Sequence, residues 1–207
     1  MSNLTLYYMP RTVAAAIAIT LNEIHVHYER ILIDFSTSQQ RSDDYLKLNP
    51  KGRVPTLQTQ IGKLTETTAI LEYIAATHPN SNLVPSDPFK AAQMRSIMSY
   101  LASTVHVNHA HSIRGSRWAD KQTSWDDMAN KVPETMRESA AFIESHCLNG
   151  PFVMGNQLSL VDPYLFVVST WLAGDGVDIN DFPKLVAFQE TMWARPSVTT
   201  AKADGII

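Results

Sequence analysis

A mixed α/β domain followed by an all-helical domain is the fold class the sequence predicts, on three observations. Two stretches carrying β-branched and aromatic residues in partial alternation, Asn3 to Tyr8 and His25 to Asp34, flank an alanine-rich stretch with apolar residues at helical spacing. The run from Pro79 to Pro88, "PNSNLVPSDP", is dense in proline, asparagine and serine and reads as a linker. From Phe89 onward the apolar residues recur at helical spacing and no strand pattern stands out. With 207 residues, 44% of them hydrophobic and 18% charged, the chain suits one large or two small domains.

Taken in order, Asn3–Tyr8, the helix Thr12–Glu23 and His25–Asp34 make a strand, helix, strand unit whose length suits parallel pairing through a right-handed crossover. After the polar segment around "DDYLKLNP", Arg53 to Glu66 reads as two short strands about a turn at Gly62, and Thr67 to His78 as a helix ended before Pro79. The expected boundaries are a first domain over 1–80, a linker over 81–88 and a helical domain over 89–207. Within the last, "KAAQMRSIMSYLASTVHVNHAHSI", "VPETMRESAAFIESHCL", "SLVDPYLFVVSTWLA" and "FPKLVAFQETMWA" have helical periodicity.

Composition excludes several classes of function. A formal net charge of −3 without a run of lysine or arginine gives no footprint for nucleic acid. No stretch approaches the ~18 apolar residues of a membrane span, and no basic region followed by an apolar core opens the chain, so a cytoplasmic protein is expected. Cys147 is the single cysteine, which rules out an internal disulfide and a cysteine metal cluster and reads as a half-buried structural thiol.

Four motifs carry chemistry or mark structure. In "KGRVPTL", Pro55 is either a plain strand boundary or a cis-proline turn presenting the Val54 N–H and C=O to an extended peptide. In "LTETTAILEYI", Thr67 or a neighbour can cap a helix, and the same N-terminus can bind a carboxylate while Glu66 accepts an ammonium. An α-amino acid end satisfies both groups. In "GNQLSLVDPYLF", Ser159 and Asp162 have the spacing of a capping box that starts a buried helix. His106 and His109, three apart and near His111, can share a helical face as metal ligands, but no nearby carboxylate completes a third ligand, so no metal is expected and a pocket-wall histidine is preferred.

Together these segments resemble the cytosolic glutathione S-transferase family over nearly the whole chain, with most similarity to the bacterial beta class. "LYYMP" resembles the family's first strand and turn, "NPKGRVPTL" its cis-proline motif, "LTETTAILEYI" its acidic-serine signature with threonine at Thr67, "PFVMGNQLSLVDPYLFVV" its C-terminal capping box, and "FPKLVAFQETMWARPSV" its closing segment. The resemblance implies a thioredoxin-like first domain, a homodimer, and glutathione as substrate bound between the domains. By alignment, Val54 and Pro55 would meet the cysteinyl part of glutathione, Glu66 and Thr67 its γ-glutamyl end, and Lys51 with Arg53 the region of the glycine carboxylate. His106 resembles the beta-class histidine, and Met9, Tyr100 and His106 would line the co-substrate pocket.

The departure lies in the turn after the first strand. By ungapped counting the beta-class cysteine falls on Val13 and the serine of other bacterial members on Ala14, neither of which donates a hydrogen bond; the lysine after the beta-class histidine is Val107. A free thiol has a pKa near ~8.5, and lowering it by ~2 units requires ~2.7 kcal/mol of preferential stabilisation of the thiolate. The candidates are Thr12 with its hydroxyl, the helix N-terminus, Arg11 with its charge, His106, and Tyr8 at the end of the strand, with Tyr7 on the opposite face. A plain helix cap is the alternative role for Thr12. The expected function is conjugation of the glutathione thiolate to a hydrophobic electrophile. The alternatives are a glutathione-dependent disulfide reductase and a non-catalytic glutathione-binding module.

Overall fold

The computed structural model describes residues 4–207, so Asn3, expected to open the first strand, lies outside the described residues. In chain order the elements begin β1 (Thr5–Tyr8), α1 (Ala14–Glu23), β2 (Glu29–Leu32), α2 (Asp43–Leu48), β3 (Thr56–Gln58), β4 (Lys63–Thr65) and α3 (Thr67–Thr77). They continue as α4 (Pro88–Tyr100), α5 (His106–His111), α6 (Gln122–His146), α7 (Val161–Ser169), α8 (Pro183–Trp193) and α9 (Pro196–Ala203). Two compact units divide them: one takes the chain up to Val84 and again Met192–Ile207, the other is Pro85–Thr191.

The first unit is built on a four-stranded sheet of order β2-β1-β3-β4. β1 and β2 pair in parallel across the α1 crossover, and β3 is antiparallel to both β1 and β4. α1 begins at Ala14, two residues later than the pattern suggests, and buries every residue from Ala14 to Leu21. A helix apolar on all sides has to be covered on all sides. The second strand is shorter than expected because the N–H groups of His25 and Val26 turn back onto the carbonyls of Asn22 and Leu21, with His25 at φ 55.

α9 returns to this unit and packs on α1. The Asn22 side-chain amide donates to the Ser197 carbonyl (3.1 Å), and Arg195 Nε donates to Glu23 Oε2 (3.0 Å). Burial works to raise the pKa of Glu23, but the hydrogen bonds and charge of Arg195 oppose it, and the carboxyl is held below its ordinary value. The sequence reading grouped 192–207 with the helical domain; helical periodicity identifies a helix without saying which core receives it.

In the second unit, Asp87 caps α4 by accepting from the Lys90 N–H (2.8 Å), and Pro88 stands in its first turn. A π-helical turn, Leu101–Val105, joins α4 to α5. α6 runs through Pro133 and begins at Gln122, earlier than the stretch from Val132 that periodicity picks out. α7 is buried along its whole length.

The Ser159/Asp162 box differs from its expected form. The Asp162 carboxylate accepts from the Ser159 N–H, the Ser159 hydroxyl and the Val153 N–H, each at 2.7 Å. The Asp162 N–H bonds instead to the Ser159 carbonyl (3.1 Å), because Leu160 between them is already helical (φ −58, ψ −29). The serine hydroxyl therefore donates to the carboxylate rather than accepting from the backbone. The carboxylate, with no solvent exposure, ties the 149–159 loop to the helix start.

Cys147 is 1% exposed, and burial pushes its thiol up to about 11. Thiol-specific reagents at pH 8 are expected to label it in denaturant and to leave the native protein unmodified for hours; rapid native labelling would contradict its burial. No helix among the described residues is long and apolar enough to cross a membrane.

Candidate functional site

Sheet register collects three of the predicted segments at one end of the first unit. Tyr7 pairs with Thr56, and Thr56 pairs with Thr65. One residue beyond this row stand Tyr8, Pro55 and Glu66, so the β1–α1 turn, the loop before β3 and the β4–α3 turn converge on the same end of the strands. Tyr7 faces the other way from Tyr8, its ring edge-on to Tyr45 at 6.1 Å.

The loop before β3 is fastened from behind. Asn49 Nδ2 donates to the Arg53 carbonyl (2.7 Å), Asn49 Oδ1 accepts from the Lys51 N–H (3.1 Å), and the Tyr45 hydroxyl donates to the Arg53 carbonyl (2.7 Å). Burial pushes the Tyr45 hydroxyl above its ordinary pKa, so it remains a donor at any working pH. Gly52 sits at φ +60 with the Gln40 carbonyl 2.8 Å from where a Cβ would stand. The Val54–Pro55 bond is cis, and the Val54 N–H and C=O have no hydrogen-bond partner among the described residues. Arg53 is exposed and contributes its carbonyl to the loop. Asn49 and Tyr45 are the functional supports that sequence reasoning missed; an asparagine two residues ahead of Lys51-Gly52 is a turn signal that pointed to the first of them.

At the β4–α3 turn, Glu66 occupies the cap position of α3 in a strained backbone conformation (φ 71, ψ 120) and makes no side-chain cap. Of the cap candidates at Thr67 and its neighbours, the cap position falls to Glu66, and Thr67 is the first helical residue and is buried. The N–H groups of Thr67, Thr68 and Ala69 have no acceptor among the described residues, which leaves an anion-binding end of the kind helix N-termini provide. Lys51 Nζ reaches across to Glu66 Oε1 (2.5 Å) and Thr65 Oγ1 (2.7 Å), so the two charged groups predicted for opposite ends of a ligand pair with one another here.

The β1–α1 turn is tightly wound. Arg11 is exposed with φ 60, and its N–H donates to the Ile206 carbonyl (3.0 Å). The Thr12 hydroxyl donates to the Met9 carbonyl (2.7 Å) and accepts a long contact from the Ala14 N–H (3.4 Å). It is neither a free donor nor a full cap. The N–H groups of Thr12 and Val13 have no acceptor among the described residues, whereas those of Ala15 and Ala16 bond back to Thr12 and Val13. The side chains of Val13 and Ala14 are buried.

In the helical unit, Tyr100 lies against Phe142 (4.8 Å between centroids) just before the π-helical turn, and His106 follows that turn. His106 and His109 flank Trp171 at 5.2 and 4.3 Å, and His109 Nδ1 meets both oxygens of Asp175 (2.9 and 2.8 Å). The histidines are engaged with an indole and a carboxylate, and no group of three or more metal-ligating side chains occurs among the described residues.

Two family models match the chain: "Glutathione S-transferase, N-terminal domain" over residues 2–76 and "Glutathione S-transferase, C-terminal domain" over residues 108–202. A solved glutathione transferase homolog from Sulfitobacter, with bound glutathione, is 52% identical, with a TM-score of 0.98 and full coverage of both chains. A beta-class glutathione S-transferase from Sphingomonas chungbukensis is 29% identical, with a TM-score of 0.83 over 98% of this chain and 100% of its own. Glutathione S-transferase GstA of Escherichia coli O157:H7 is 25% identical over 205 residues, covering 97% of this chain and 98% of that protein.

Proposed function

Because the chain belongs to the glutathione S-transferase family, we propose that it binds glutathione at the strand ends of its first unit and transfers the thiolate to a hydrophobic electrophile. The observation that carries this reading is the register that brings Tyr8, Pro55 and Glu66 into one row. Around that row are unpaired backbone groups suited to an extended peptide and a carboxylate, and the Glu66 carboxylate, here paired with Lys51, is suited to an ammonium. Glutathione is an extended peptide with one ammonium and two carboxylates.

In this reading the Val54 N–H and C=O pair with the cysteinyl residue. The γ-glutamyl carboxylate takes the free N–H groups and hydroxyl at Thr67, and its ammonium takes Glu66. Lys51, with Arg53 nearby in the loop, takes the glycine carboxylate. Binding exchanges the exposed Lys51–Glu66 pair, worth ~0–1 kcal/mol, for two pairs with the ligand, so opening it costs little. The thiolate is stabilised by the Thr12 and Val13 N–H groups and the N-terminal end of α1, with the Arg11 charge nearby and Tyr8 adjacent. The Thr12 hydroxyl holds the turn through Met9 and joins the donors only on rotating away from it. Within this unit Met9, beside the same turn, is the candidate contact for the electrophile. The protein acts in the cytoplasm as a homodimer and uses no metal.

Replacing Thr67 by valine is expected to weaken glutathione binding about tenfold, the loss of one hydrogen bond to a charged group, while leaving Tm within a few degrees. Calorimetric titration checks it, and an unchanged affinity would remove Thr67 from the site.

A second reading is favoured by the commitment of the Thr12 hydroxyl to Met9 and by the apolar side chains at Val13 and Ala14. On that reading the protein holds glutathione without activating it, or uses it in disulfide exchange. Thiolate absorbance of bound glutathione followed against pH separates the two. A midpoint well below ~8.5 supports the transferase, and an unshifted midpoint supports the binding module.

A further inference from the structure

We propose that the segment closing α9 is a positioning element of the thiol-activating turn, acting through the backbone carbonyl of Ile206. The inference rests on the function proposed above and adds a part of the chain that no sequence motif marks.

Arg11 holds a left-handed conformation that a residue with a Cβ adopts only under constraint. Its φ and ψ set the direction of the next two N–H groups, those of Thr12 and Val13, which are the proposed donors to the thiolate. The Thr12 hydroxyl and the Ala15 N–H tie the turn to itself. The 3.0 Å bond from the Arg11 N–H to the Ile206 carbonyl ties it to a remote part of the unit.

That carbonyl is itself firmly placed. The N–H groups of Asp204, Gly205 and Ile206 return to the carbonyls of Thr200, Lys202 and Ala201, with Gly205 at φ 69, so the chain leaves α9 in a fixed direction. The Ile206 side chain has no solvent exposure, and Asp204 is ion-paired with Arg30 of β2. The Arg195–Glu23 pair fixes the other end of α9 to α1. A donor array for an anion is effective when its dipoles are aligned before the charge appears, and this anchor supplies that alignment.

Three variants isolate the carbonyl from the side chain. A chain ended after Ile206 keeps an acceptor oxygen at that position, Ile206→Ala keeps the carbonyl while removing buried side chain, and a chain ended after Gly205 loses both. The readouts are the pH midpoint of bound glutathione thiolate, glutathione affinity, and kcat with a generic aromatic electrophile such as 1-chloro-2,4-dinitrobenzene.

In the chain ended after Gly205 the midpoint is expected to rise by about 1 unit toward the free value, and kcat to fall about tenfold with KM for glutathione changed less than about twofold. The chain ended after Ile206 keeps the acceptor as a carboxylate, whose negative charge adds a small rise of its own, and is expected to titrate closer to the full chain than to the chain ended after Gly205. Ile206→Ala is expected to lower Tm with the midpoint unmoved. Should the shortened chain fail to fold, Gly205→Val displaces the same carbonyl in the full chain, since a β-branched residue resists φ 69.

A lowered midpoint that is indifferent to loss or displacement of the carbonyl overturns the inference alone, as does an equal rise in Ile206→Ala. An unshifted thiol in the unaltered protein overturns the proposed transferase function, and the inference with it.

Discussion

Asp162→Ala is expected to destabilise the protein by ~3–5 kcal/mol, a fall of roughly 10 °C in Tm, and to reduce soluble expression. Its carboxylate accepts three short hydrogen bonds, two of them from the backbone N–H groups of Val153 and Ser159. Removing it strands those donors in a region where Val153 is fully buried and Ser159 is 2% exposed. The penalty is the desolvation of unpaired groups more than the loss of attraction. Asp162→Asn retains an acceptor oxygen but brings an NH2 group against Ser159 or Val153, and is expected to recover under half of the loss. Thermal unfolding followed by circular dichroism checks both. A Tm within 3 °C of the parent for Asp162→Ala would mean that the loop it ties down repacks or takes up water.

Gly52→Ala is expected to weaken glutathione binding by at least about tenfold and to cost ~1–3 kcal/mol of stability. The added Cβ would stand 2.8 Å from the Gln40 backbone carbonyl and 2.9 Å from Arg41 Nη1, at a φ of +60. The arginine end can swing away, but the Gln40 carbonyl belongs to the main chain, so the loop must move. That loop carries Lys51, Arg53 and Val54, and a ligand read by backbone N–H and C=O tolerates little displacement of either. Calorimetric titration with glutathione measures the first effect and thermal unfolding the second. Normal affinity in a folded Gly52→Ala protein would show that the loop is not a binding element. Gly62, where an added Cβ meets nothing within 4 Å, serves as the comparison, and Gly62→Ala is expected to bind glutathione normally.

What was legible in the sequence was what periodicity and single-residue chemistry carry. The strand, helix, strand opening was readable because α1 is apolar on every side and because the stretches flanking it carry β-branched and aromatic residues in partial alternation. Pro55, Glu66 and Thr67 stood out because a proline at a strand start and hydroxyls at a helix mouth have few roles. The left-handed conformations of Arg11 and Glu66 were not readable, since neither residue type favours them and the surrounding structure imposes them. The Lys51–Glu66 pair was hidden for a different reason: each was assigned to a ligand charge, and only the register of β3 and β4 shows that they reach one another first. The opening turns of α6 were not readable because the stretch from Gln122 to Lys131 is mostly polar, and Pro133 proves to lie inside the helix rather than near its start. The return of α9 to the first unit is a tertiary fact with no local signature.

That return has a consequence for how the protein comes into being. The unit bearing the candidate site is discontinuous, interrupted by the whole of the helical unit. During synthesis the strands and α1 emerge early, yet Val198, Ala201 and Ile206, which are fully buried within the finished unit, emerge last. The first unit therefore cannot complete its core on the ribosome before the second has been made. A fragment ended at Val84 would expose the face of α1 that α9 covers, and it is the kind of half-built intermediate on which chaperones act.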